Sequence, residues 1–248
     1  MTGVRVQHTR VPDANDVRAL LACLTPAERA RAGAIGNETR RREHIASRVL
    51  AKHLVLDGLV SDEPVRAIGF DELVELPARL CQEVEVLRAD GAPRVFRRGV
   101  AVADLHLSIA HGEGIAAVGV STDNPIGVDV ATIEAHAPSF RRVHYSQRER
   151  DWIARGGNAA ENALFTLLWT LKECVIKAGG APEATLWGYD EVEVLVDACP
   201  RGVADSIANV TPQAVAIRLP FDRLGSASVT RIANTILSIV AGISGGVQ

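Results

Sequence analysis

Three side chains that can carry charge or stack recur at every fourth position of one apolar stretch. Leu164–Gly180 reads LFTLLWTLKECVIKAGG, and Trp169, Glu173 and Lys177 fall along one line of the helix it predicts. Lys172 stands one position off that line, within reach of a shared cleft. Leu164, Leu167, Leu168, Leu171, Val175 and Ala178 make most of the remaining surface apolar, so the helix should be buried. A buried Glu and Lys need partners. They satisfy one another as an ordinary i, i+4 bridge, worth roughly 0.2–0.5 kcal/mol on a solvated helix, or they face the charges of a ligand. The helix alone fits both readings.

Two further groups are out of keeping with their surroundings. Asp129 lies inside IGVDV, Ile126–Val130, an apolar run that reads as a strand. His111 lies in Ala110-His111-Gly112-Glu113-Gly114, a glycine-containing loop joining predicted strands at Leu105–Ile109 and Ile115–Ser121. Taken singly, Asp129 is equally a core carboxylate tied to a turn, and His111 an ordinary loop histidine.

The elements that must position these groups follow from pattern and punctuation. Val4–Gln7 alternates as a first strand, and Asp13–Leu24 reads as a short helix. Thr25-Pro26-Ala27-Glu28 combines an N-cap, a proline at the first helical position and the acid of a capping box. A long helix is predicted over Glu38–Leu59, with Arg48 and Lys52 four apart beside its apolar face. Arg40, Arg41 and Arg42 form a solvated face or a phosphate contact. Val84–Leu87 alternates into the turn Ala89-Asp90-Gly91-Ala92-Pro93, and Arg97-Arg98-Gly99 reads as a loop. Ser146-Gln147-Arg148-Glu149 is a second capping box, opening a helix to about Ala154. Gly179 to Pro182 end the long apolar helix. Strands are predicted near Glu191–Val196, Ala214–Leu219, Val229–Ile232 and Ile236–Ala241. Each half therefore offers helices and a small antiparallel sheet. The class is α+β, with two pseudo-symmetric lobes, residues 1–121 and 122–248, and a cleft between them as the natural ligand site.

Composition narrows the function. The 248 residues are 47% hydrophobic and 23% charged, enough apolar material for a core. A net charge of −3 argues against nucleic acid as a partner, so any basic site must be local. Cys23, Cys81, Cys174 and Cys199 show no CxxC or zinc spacing, as expected of reduced thiols in a cytoplasm. The N-terminus has no apolar signal segment, and the longest apolar run, near Ile236–Ile243, is too short to span a bilayer. The expectation is a cytoplasmic protein with no membrane contact.

In order, SIAHGEG with Ser108 and His111, IGVDV with Asp129, and WTLKECVIKAGG with Trp169, Lys172, Glu173 and Lys177 resemble the Sfp-type 4′-phosphopantetheinyl transferases. Those carry a serine–histidine loop, a G-[IV]-D strand and a W-x-x-K-E-x-x-x-K helix. The resemblance covers most of residues 25–180. It implies Mg²⁺-dependent transfer of the phosphopantetheine arm of coenzyme A to a serine of an apo acyl or peptidyl carrier protein, releasing adenosine 3′,5′-bisphosphate. Asp129 and Glu173 would then be metal ligands, since Mg²⁺ usually takes one or two carboxylates and completes its shell with phosphate and water. His111 and Lys177 would meet phosphate oxygens, and Glu173 would also serve as a base. Arg31, Arg48, Ser108 and Lys172 are the implied coenzyme contacts. The nucleophile belongs to the carrier, and one chain is expected to form a complete site as a monomer.

Three positions depart from the family pattern. Ala131 stands where many relatives have a second acid. Ala92 replaces the basic residue of a Gly-Lys-Pro turn, leaving Arg88 or Arg94 to cover a phosphate. Ala110 replaces a serine, which makes Ser108 the polar contact. The losses keep open a non-catalytic module that binds coenzyme A or carrier protein. Another Mg²⁺-dependent phosphotransferase or nucleotide hydrolase is the third reading, without a P-loop or HExxH signal.

Overall fold

Residues 3–57, 65–179, 192–208, 213–219, 223–232 and 234–244 are described by the computed structural model. The architecture is α+β, and the chain divides into two units, Met1–Asp123 and Asn124–Gln248.

In the first unit β1 (Val4–Arg10) leads to α1 (Asp16–Leu20) and α2 (Pro26–Gly33). Thr25 caps α2 as the sequence predicts: Glu28 takes the Thr25 N–H at 2.8 Å, and Thr25 Oγ1 accepts the Glu28 N–H. The long helix α3 (Glu38–Leu56) buries Ala46, Val49, Leu50 and Ala51 completely. Its predicted end at Leu59 lies outside the described residues. After it come β2 (Val65–Ala67), α4 (Phe70–Val74), α5 (Ala78–Cys81), β3 (Val84–Ala89), β4 (Ala92–Arg97), β5 (Val100–Ala101), β6 (His106–Gly112) and β7 (Ile115–Ser121).

This unit holds two sheets where one was expected, β2-β1-β7-β6 and β3-β4-β5. The pair β1–β2 is parallel, which the helical crossover through α3 allows; the other pairs are antiparallel. The five-residue loop predicted around His111 is shorter than expected. Gly112 pairs with Ile115, and only Glu113 and Gly114, at φ 50° and 75°, make the turn. His111 therefore belongs to strand β6.

The second unit contains β8 (Ile126–Thr132), α6 (Pro138–His144), α7 (Gln147–Ala154), α8 (Glu161–Gly179), β9 (Leu195–Val196), α9 (Pro200–Ala208), β10 (Gln213–Leu219), β11 (Arg223–Ile232) and β12 (Thr235–Ser244). Its sheet runs β8-β12-β11-β10-β9, antiparallel throughout. The apolar helix begins earlier than predicted, at Glu161, and the turn residues from Gly180 onward lie outside the described residues. Leu164, Leu167, Leu168 and Leu171 are at most 1% exposed and pack in one cluster with Ile236 and Val240 of β12. Burial of each such leucine contributes about 1.5–3 kcal/mol.

One contact sets the distance between α8 and β8. A Cβ placed on Gly127 would lie 1.8 Å from the carbonyl oxygen of Cys174. Only glycine lets the helix backbone rest directly on the strand.

A wholly buried lysine keys each unit. Lys52 of α3 pairs with Glu28 at 2.6 Å and donates to the Cys23 and Cys81 carbonyls. Lys172 of α8 pairs with Glu149 at 2.8 Å and donates to the His144 carbonyl. Both lysines and both acids are at most 1% exposed, so each charge is neutralised inside the fold.

Candidate active site

Strand alternation puts Gly127, Asp129 and Ala131 on one face of β8. The close approach at Gly127 brings α8 over that face. Lys177 then reaches Asp129: Nζ donates to Oδ1 at 2.6 Å and to the Val128 carbonyl at 3.0 Å. Glu173 lies one helical turn before Lys177 and is less buried than Asp129. Burial raises Asp129 to about 6; Lys177 opposes the rise, and the Glu173 charge adds to it. Burial by itself would lower Lys177, yet Asp129 leads the neighbouring groups that hold it above its ordinary value. Among the described residues, Lys177 thus feels the charges of both Asp129 and Glu173.

Trp169 joins an aromatic group with Phe140, at 5.3 Å between ring centroids, and with His144, at 5.6 Å. Lys172, expected on the coenzyme, is placed differently. The wholly buried bridge to Glu149 occupies its ammonium within the core.

The basic residues of the first unit also gather. Arg48 of α3 feels the charges of Arg31 on α2 and Arg88 on β3; burial first, then these cations, lower it to about 10, with Glu28 opposing. Between Arg88 and Arg94, it is Arg88 that meets Arg48 electrostatically. His111 Nδ1 lies 3.3 Å from Glu43 of α3. Ser108 does not join this group. It is 3% exposed and lies on the opposite face of β6 from His111, three positions along a regular strand. His44 does join it, and the sequence reading passed over it inside the run Arg40–His44. The available signal was its spacing, four residues before Arg48 on one helical face.

Residues 125–217 match the family model of the 4′-phosphopantetheinyl transferase superfamily. The matched stretch lies within the second unit, includes Asp129, Glu173 and Lys177, and is well under half of the chain. No curated protein matches the chain. The superfamily uses coenzyme A as substrate and typically a divalent metal.

The donor set suits such a metal. Asp129 and Glu173 could supply hard oxygens, and added positive charge would oppose the effect of burial on Asp129. Among the described residues no group of three or more His, Cys, Asp or Glu could hold an ion, in keeping with Ala131 in the neighbouring position. Two carboxylates would be enough for a divalent ion that completes its shell with phosphate and water. A cavity of about 670 Å³ opens at the other end of α8, bordered by Gly157, Asn162, Arg201 and Arg231. Asp129, Glu173 and Lys177 do not line it. Among the described residues no helix is long and apolar enough to cross a membrane.

Proposed function

We propose that the protein is an Sfp-type transferase that moves the 4′-phosphopantetheine arm of coenzyme A onto a serine of an apo acyl or peptidyl carrier protein. One observation carries this reading. A buried acid, Asp129, is held 2.6 Å from Lys177 on a helix that also presents Glu173, inside the superfamily match.

In the reaction the serine oxygen bonds to the phosphorus of the pantetheine phosphate. The bond from that phosphorus to the bridging oxygen breaks, and adenosine 3′,5′-bisphosphate leaves. Glu173, the less buried acid, accepts the serine proton directly or through water. Lys177, kept charged by Asp129, stabilises the negative charge that builds on the leaving oxygen. Asp129 and Glu173 would hold Mg²⁺, which would supply further neutralisation of the pyrophosphate. Arg31, Arg48, Arg88 and His111 balance the phosphates of the nucleotide half.

Carrier proteins of this class are acidic, and the exposed Arg40 and Arg142 offer local positive charge to steer one. We place the enzyme in the cytoplasm, acting as a single chain; Cys23, Cys81 and Cys174 are free and buried, which fits a reducing compartment. The test is a panel of apo carriers incubated with coenzyme A and Mg²⁺ and read by mass spectrometry. The expected result is a gain of one phosphopantetheine arm per carrier. No gain on any carrier overturns the proposal.

A further inference from the structure

A half-buried imidazole in the first unit has a ring nitrogen with nothing to bond among the described residues. His44 sits on α3 one turn before Arg48, and its Nε2 is closed to solvent without a hydrogen-bond partner among the described residues. Buried polar nitrogens are seldom left in that state. The charges around it are nearly all of one sign: Arg48 on its own helix, His111 on β6 and Arg31 on α2. Strand β7, also against α3, carries no titratable side chain, and β1 brings only Arg5, His8 and Arg10. The nearby acids are engaged, Glu43 with His111 and Glu28 with Lys52. Burial, then these cations, lower His44 to about 4, so in the free protein it is neutral at ordinary pH.

An anion placed among Arg31, Arg48 and His111 reverses the local sign. It relieves the repulsion between the cations, and it gives Nε2 an oxygen to meet. We propose that His44 is a further contact for a phosphate of coenzyme A, its Nε2 meeting a phosphate oxygen and taking up a proton from solvent as that phosphate binds. This rests on the reading that the protein binds coenzyme A. Linkage fixes the sign. A ligand that raises the pKa of a group binds more tightly as pH falls, down to the pKa of the free protein.

Isothermal titration of coenzyme A into the full chain, in buffers of differing ionisation enthalpy, tests this. The proteins compared are wild type and His44→Gln, whose amide keeps a donor but does not titrate. Between pH 8 and pH 6 the wild-type Kd should fall about tenfold more than that of the variant, with up to one additional proton taken up. NMR of the wild-type imidazole, which needs no variant, should show the His44 pKa rising when coenzyme A is added. Parallel Kd profiles, or a His44 resonance that does not shift, overturn the His44 assignment and leave the transferase reading standing. Failure of wild type to bind coenzyme A at any pH overturns both.

Discussion

The two units contain the same small polar core built twice. In the first, Thr25 donates to Glu85 at 2.5 Å, while Glu28 accepts from the Thr25 and Val86 N–H groups and pairs with Lys52. In the second, Ser146 donates to Glu193 at 2.5 Å, while Glu149 accepts from the Ser146 and Val194 N–H groups and pairs with Lys172. The copies part at the next residue of each long helix. In α3 it is His53, whose Nδ1 lies 2.9 Å from Gln7 on β1, and burial holds that imidazole below its ordinary pKa. In α8 it is Glu173, whose charge acts on Asp129 of β8. One copy spends the position on a neutral pair and the other on acids. Lys172 and Lys52 thus belong to the shared framework, and the two units differ in charge from the next position onward.

The sharpest way to break this contrast is at that one position. Glu173→Ala should reduce transfer by about 10³-fold or more with little change in melting temperature. His53→Ala should leave turnover per folded molecule within a few fold; equal losses of turnover would mean the two positions do not differ in role. The shared framework predicts similar damage in both units. Lys52→Met and Lys172→Met each leave a buried acid without its cation, and each should cost about 3–5 kcal/mol in urea unfolding. If Lys172→Met instead spared stability and raised only the KM for coenzyme A, the ammonium would belong to the ligand. Lys177→Ala should lower kcat by about 10²-fold and change stability less than either framework substitution, since Lys177 is 29% exposed.

The smallest effect concerns pH. His44 titrates near 4 when folded and near 6.5 when unfolded, so between those values the unfolded chain binds more protons. Stability should rise with pH across that window and level off above it. His44→Gln should flatten the rise in melting temperature, and an unchanged slope would show that His44 is not shielded in the folded state.

Local signals carried much of this structure. Both capping boxes, the long helices and the G-V-D strand are legible because each depends on residues within one turn or one strand. The fate of Lys172 is not. It adjoins Glu173 in the chain but points elsewhere on the helix, toward an acid 23 positions upstream that only the fold brings near. The short elements α6 and α9 carry too few turns for a clear periodicity. His111 reads as a loop residue because the turn places Glu113 at positive φ, where glycine or asparagine is the usual signal. His44 is hidden by its neighbours, since a histidine after three arginines and a glutamate reads as a solvated face.

The contact at Gly127 also governs motion. At that point backbone is seated on backbone, and no side chain there can change rotamer and alter the spacing. Asp129 and the last turns of α8 should therefore fluctuate as one body. A cation or phosphate arriving there meets donors already in place, and little ordering entropy remains to be lost on binding.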